Sequence, residues 1–148
     1  MENNVVIDYE ITEKKTVYEG HGKIEEFTIK NKDKEVKREV LTISNGVGAI
    51  IKDTVKNKYI FVSQYRAGAE GLMVEIVAGK IDEGEKPEEA LKREIMEETG
   101  YKVDTINHLQ DFYTCPSLLS EVVSVFYVEV SEQVNEYLYL FEKQLEWY

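Results

Sequence analysis

The sequence predicts a mixed α/β (α+β) domain, because its first third alternates apolar and polar residues, two apolar runs follow, and one well-marked helix stands between strand-like stretches. Residues 16–18, 24–29 and 39–43 alternate with the period of a strand that has one face buried. Between the last two, Asn31-Lys32-Asp33-Lys34 is a polar break suited to a hairpin turn. Residues 47–51 and 59–64 are apolar enough to be central strands, joined by the polar loop 52–58, and a further strand is expected over 73–77. The pattern then changes to a helix over 87–99, with Pro87 at its first turn and Gly100 as its stop. Glu88 and Glu89 fall in that first turn, where negative charge suits the helix dipole. Residues 122–130 return to strand, and 132–148, with apolar residues at both spacings, admit a helix.

Composition narrows the function classes. A chain of 148 residues falls in the ~100–150-residue range of single domains. With 43% hydrophobic residues it can bury an ordinary core. Its apolar runs fall short of the ~20 residues that span a bilayer, so no membrane partner is expected. The start, MENNVVIDYEITEKK, lacks the basic and apolar segments of a secretory signal, which gives a soluble cytoplasmic protein as the expectation. Cys115 is the single cysteine, so an intramolecular disulfide and a Cys-based zinc site are excluded. It is read as a small, partly buried residue. The formal net charge of −11 argues against a nucleic-acid partner. The same charge opposes any anionic substrate unless divalent metal offsets it locally.

The helix shows where such metal would sit. At about 100° per residue, Glu94, Glu97 and Glu98 fall near 0°, 300° and 40°, within one arc of about 100°. Ala90, Leu91 and Ile95 fall at about 320°, 60° and 100° by the same spacing. The acids therefore share the side that faces the protein, while Glu89 and Lys92 occupy the far side. Grouped carboxylates repel one another without a counter-charge, and hard oxygen ligands suit Mg²⁺ or Mn²⁺. Taken alone, the helix admits both a metal site and a salt-bridged surface.

The surrounding residues sharpen the choice. Gly79, Glu85, Arg93, Glu94, Ile95, Glu97, Glu98 and Gly100 reproduce the spacing of the Nudix box, with Tyr101 in place of the usual aliphatic residue. So long a pattern is far more specific than a lone glycine fingerprint, and the chain resembles a Nudix hydrolase. Val62-Ser63-Gln64-Tyr65-Arg66 and Val74 to Lys80 resemble the stretch preceding the box in ADP-ribose pyrophosphatases. Pro116 and Glu121 resemble that group's Ser-Pro-Gly-x-x-x-Glu segment, with Cys115 and Ser117 replacing its Ser and Gly. The likeness runs from about residue 18 to residue 130 and is strongest in the box.

What the resemblance implies is a Nudix α/β/α sandwich with a mixed sheet over 46–148, preceded by a small antiparallel β region over 1–45 that serves a homodimer. The implied activity is hydrolysis of the diphosphate bond of a nucleoside diphosphate derivative, foremost ADP-ribose to AMP and ribose 5-phosphate. Glu94 and Glu98 would be the principal metal ligands, with Glu97, the carbonyl of Ala78 and an auxiliary Glu85. The ions, Mg²⁺ or Mn²⁺, would polarise the diphosphate, lower the pKa of a bound water and neutralise charge on the leaving phosphate. Arg93 would hold the glutamates by ion pairing. Arg66 and, more weakly, Arg38 are candidates for contacting substrate, since a guanidinium can fork onto phosphate or stack on a base. Glu121 is a candidate for a ribose hydroxyl. His21 and His108 lack metal-ligand spacing and are read as surface residues. The general base of the resembling enzymes, a glutamate near the C-terminus, has no match among Glu129, Glu132 and Glu136, because 132–148 does not reproduce that region. Rival readings are a Nudix enzyme for another nucleotide sugar or a nucleoside triphosphate, and a non-catalytic nucleotide sensor.

Overall fold

The computed structural model describes residues 8–20, 22–134 and 143–147. They form two compact units, Met1–Ile43 with Tyr113–Glu121, and Ser44–Phe112 with Val122–Tyr148.

In the first unit, β1 (Glu10–Glu19), β2 (Lys23–Asn31) and β3 (Lys34–Thr42) make an antiparallel meander. Its tight turn falls at Lys32-Asp33, as the polar break predicts, with Lys32 in the left-handed region at φ 53°. Registry sets Ile11 opposite Ile29, and Ile29 opposite Val36, so an apolar row crosses one face of the sheet. Ile11 is 50% and Val36 41% exposed. Residues 113–121 add to the edge of β3. The Leu41 N–H donates to the Leu118 carbonyl at 2.8 Å, and the Ser120 N–H to the Leu41 carbonyl at 3.1 Å.

The second unit holds a seven-stranded sheet and the one α-helix among the described residues. Its strands are β4 (Gly46–Asp53), β5 (Lys58–Arg66), β6 (Gly71–Glu75), β7 (Val77–Lys80), β8 (Tyr101–Tyr113), β9 (Val122–Gln133) and β10 (Lys143–Trp147). The main order is β10-β5-β4-β9-β8, with β4 and β9 parallel. A parallel pair needs a long crossover, and the helix α1 (Pro87–Thr99) lies within it.

The strand expected over 73–77 is two strands. β4 pairs with β5 near Ile51 and with β7 over residues 46–49. β5, past Ile60, turns to β6 instead. The segment β6–β7 therefore fills a fork between β4 and β5, changing partner at Ile76. Two further differences concern the later chain. β8 runs over 13 residues that carry no clear alternation, since only Tyr101 along it is fully buried. The helix admitted for 132–148 is not formed over 143–147, which are a strand pairing antiparallel with β5. An open β5 edge supplies a ladder of backbone partners, and the sequence-level ambiguity there resolves to period two. No helix among the described residues is long and apolar enough to cross a membrane.

The core follows the alternation. Val47, Ala49 and Ile51 of β4 are fully buried, as are Ala90, Leu91 and Ile95 of α1, which packs on β4 and β7. Burying each such aliphatic side chain stabilises the fold by roughly 1.5–3 kcal/mol. Two charged residues, Asp53 and Glu98, share this interior. Asp53, 1% exposed, accepts the backbone N–H groups of Val55 and Lys56 through Oδ1 at 2.9 and 2.8 Å. Its Oδ2 accepts the Tyr101 hydroxyl at 2.8 Å. Burial by itself pushes the Asp53 carboxyl up. The Lys56 N–H, the Tyr101 hydroxyl, the Val55 N–H and the Lys56 ammonium together outweigh that and hold it below the usual carboxylate range.

A carboxyl with a depressed folded pKa contributes stability above its unfolded value and loses it as pH falls through the folded one. Asp53→Asn is therefore expected to cost about 1.5–3 kcal/mol near neutrality. In urea titrations the gap from wild type should stay constant above about pH 4 and close below it. A gap that widens on acidification would contradict the assignment.

Candidate functional site

The site begins on β7. Ala78 pairs with Gly48 and Gly79 with Val47, so the strand runs alongside β4 before leaving the sheet at Lys80. The loop that follows closes on itself: the Asp82 N–H donates to Glu85 Oε2 at 3.1 Å, and the Glu85 N–H to the Asp82 carbonyl at 3.0 Å. Gly84 sits at φ 81°, a conformation that glycine reaches without steric cost. Glu89 then accepts the Lys86 N–H at 3.1 Å, satisfying a donor at the helix start. At the other end Gly100 takes φ 70° and donates to the Met96 carbonyl at 3.0 Å, ending the helix as the sequence predicts.

Along α1 the acidic and apolar arcs overlap. Glu98 is 5% exposed and lies with the core residues. The Glu94 side chain is 14% exposed and that of Glu97 53%, so the carboxylates are graded from interior to solvent. Arg93 gathers them. Its Nε and Nη2 donate to Glu85 at 3.1 and 2.9 Å, Nη1 donates to Glu94 at 2.7 Å, and Nη2 also donates to the Lys80 carbonyl at 3.0 Å. Glu97 and Asp82 lie 3.6 and 3.8 Å away. Hydrogen bonds donated to Glu85 and Glu94 raise the Arg93 pKa above its ordinary value, and Arg93 in turn holds Glu85 below the usual carboxylate range.

Gly79 has a role that its place before a loop does not suggest. Its φ is not positive. A methyl group built on it would overlap Cγ, Cδ and Oε1 of Glu94. The Glu94 carboxylate thus rests on the backbone of β7, in space that any other residue would fill. The sequence signal is the glycine itself, but the reason for it is a contact between elements.

The chemistry of these donors, though not their present arrangement, suits a divalent cation. The donors are hard oxygens, one guanidinium faces four carboxylates, and Glu98 adds a fifth on the same helix. Among the described residues no three Asp, Glu, His or Cys side chains converge as a ready-made ligand set. Arg93 engages Glu85 and Glu94.

The other candidates belong to other elements. Arg66, at the end of β5, is clamped by Glu75 of β6, with Nε donating at 2.9 and 3.1 Å and Nη2 at 2.6 Å. The Glu75 hydrogen bonds raise its pKa. Arg38 and Glu121 belong to the first unit. Arg38 donates to the Lys37 carbonyl at 2.8 Å and lines an open cavity of about 960 Å³ with Tyr9, Ile29 and Val36. Glu121 accepts the Thr114 hydroxyl at 2.8 Å. Cys115 is partly buried, with Sγ 3.6 Å from the Ser117 hydroxyl. His108 bonds Asp111 at 2.8 Å on the surface, while His21 and Glu136 lie outside the described residues. Spacing gave no hint of the Lys80 carbonyl as an Arg93 acceptor, nor of Asp53 and Lys56, which share no motif with the box.

Comparison with known proteins matches residues 43–146 to the family described as NUDIX domain. An ADP-ribose pyrophosphatase of Bacillus subtilis is 39% identical over 103 residues, covering 70% of this chain and 55% of that protein. A methanol dehydrogenase activator of Bacillus methanolicus is 39% identical over 90 residues, covering 61% and 48%. A GDP-mannose pyrophosphatase of Escherichia coli (strain K12) is 31% identical over 115 residues, covering 72% and 60%. The matched stretch thus spans about half the length of these relatives.

Gly79→Ala should evict the Glu94 carboxylate while leaving the fold intact, because the collision is with the far end of a flexible side chain. The expected shift in melting temperature is less than about 4 °C. A crystal structure of the variant with Glu94 still bonded to Arg93 would contradict this.

Proposed function

The chain belongs to the Nudix family, and from that premise we propose that it is a divalent-metal hydrolase of a nucleoside diphosphate derivative, with ADP-ribose as substrate. The observation that carries the proposal is the network on α1: Glu98 buried, Glu94 seated on Gly79, and both held on one helix face whose excess negative charge Arg93 only partly offsets. The substrate class is supported by the relatives named ADP-ribose pyrophosphatase and GDP-mannose pyrophosphatase.

In this reading Glu94 and Glu98 hold Mg²⁺ or Mn²⁺, with Glu97, Glu85 and the Ala78 carbonyl as further oxygens. The ion supplies charge stabilisation to the diphosphate. Arg93 keeps Glu94 and Glu85 in place, and the Lys80 carbonyl fixes the guanidinium in turn. Arg66 is proposed to present to a phosphate or a base those N–H groups that Glu75 does not engage. Arg38 and Glu121 are proposed as further substrate contacts. Pairing of two chains through the β1–β3 region is proposed as well, supported by the exposed row of Ile11 and Val36.

Release of AMP from ADP-ribose with Mg²⁺ or Mn²⁺ tests the reading, with GDP-mannose and nucleoside triphosphates assayed in parallel. Glu98→Gln should lower the metal-dependent rate by about 10²–10³-fold, the scale of losing one preorganised electrostatic group. Turnover of GDP-mannose alone would move the substrate assignment. Nucleotide binding without turnover of any compound would make the chain a sensor. For the pairing, sedimentation should show a dimer that Ile11→Glu converts to monomer; a monomeric wild type would refute it.

A further inference from the structure

The last turn of α1 is tied to the far end of β4 by a buried hydrogen-bond chain. Tyr101 directly follows the left-handed Gly100 and is 1% exposed. Its hydroxyl donates to Asp53 Oδ2 at 2.8 Å and accepts from Lys56 Nζ at 2.8 Å. Asp53 cannot turn away, because its Oδ1 is held by two backbone N–H groups. On the helix side, the Thr99 hydroxyl donates to the Ile95 carbonyl at 2.6 Å and accepts the Tyr101 N–H at 3.2 Å. Gln133 Nε2 donates to the Thr99 carbonyl at 3.0 Å, and the Val134 N–H to the Gly100 carbonyl at 2.9 Å.

Apolar packing keeps the Tyr101 ring in the core, but it is non-directional. The hydroxyl–carboxylate bond is directional, and Tyr101 follows Glu97 and Glu98 by four and three residues. A rotation of α1 by about 20° moves a side chain at its outer radius by about 2 Å, well beyond the ~0.5 Å within which a metal or catalytic group must be held. Arg93 ties the middle of the helix to the Lys80 carbonyl and Glu85, and Tyr101 holds the end beyond Glu98. The aliphatic contacts between them tolerate such a twist more readily than a hydrogen bond does.

We propose that Tyr101, acting through Asp53, is a positioning residue that sets the rotation of α1 and thereby the placement of Glu94 and Glu98 for a divalent cation. This rests on the metal-hydrolase reading and adds to it a residue outside the ligand set. Phenylalanine keeps the ring in the core but removes the donor to the buried Asp53 Oδ2, which costs stability. The value of the hydroxyl lies in the angle.

The test is Mn²⁺ affinity of the substrate-free protein, read by electron paramagnetic resonance, for wild type, Tyr101→Phe and Ile60→Val. Ile60, a buried β5 residue, serves as a control that softens the core without touching the hydrogen-bond chain. Tyr101→Phe should weaken Mn²⁺ binding about tenfold or more, within the range for residues that orient metal ligands, while Ile60→Val leaves it unchanged. In turnover, the Mn²⁺ concentration giving half-maximal rate should rise by the same factor, with the substrate KM at saturating Mn²⁺ unchanged. Equal Mn²⁺ affinity in Tyr101→Phe and wild type overturns the proposal, as does equal weakening in both variants. If Tyr101→Phe does not fold, Lys56→Met takes its place with a smaller shift in the same direction, and no shift overturns the proposal. A wild type that binds no Mn²⁺ removes the metal reading itself, a failure separate from that of the positioning role.

Discussion

A single guanidinium makes the acidic face of α1 tenable. Two like charges 4 Å apart repel by about 1 kcal/mol in water and about 4 kcal/mol near a protein surface, and here Asp82, Glu85, Glu94 and Glu97 all lie within reach of Arg93. The planar fork engages Glu85 through two nitrogens and still reaches Glu94 and a backbone carbonyl. Lysine, a point charge on a flexible stem, has no equivalent geometry. The network joins loop, strand and helix, so the order of the loop before α1 and the seat of Glu94 depend on the same side chain.

That side chain works only because the sheet brings β7 to the helix. β4 and β5 part company beyond Ile51 and Ile60, and the segment 71–80 fills the fork. Its second half, paired to β4, carries Gly79 under α1. The closeness of Glu94 to the Gly79 backbone follows from this topology and from the absence of a side chain there. At the opposite end, Asp53 and Tyr101 hold the helix to the same β4. β4 is therefore the element against which the carboxylates are placed: its first half through β7, its last residue through Tyr101.

Much of this was legible in the residues alone. The helix bounds, set by Pro87 and Gly100, hold because a proline at the first turn and a left-handed glycine at the stop act locally. The arc shared by Glu98 and Ile95 is a consequence of helical spacing, and burial agrees with it. β8 was not legible, because its outer positions are largely exposed and its apolar residues break period two at Ile106. Residues 143–147 were ambiguous for the same kind of reason: a short stretch with apolar residues at both spacings takes the form its neighbour's backbone offers, here the open edge of β5.

By itself the sequence determined what is local: alternation, turn residues, helix ends and the order of acids around one helix, each governed by interactions within a few residues. The tertiary structure alone decided why Gly79 must be glycine, which carbonyl steadies Arg93, that Arg66 is claimed by Glu75, and that a buried Asp53 meets Tyr101. Those facts join residues up to 48 positions apart. No spacing rule reaches that far, because chain folding, and not chain order, sets which atoms come within hydrogen-bond distance.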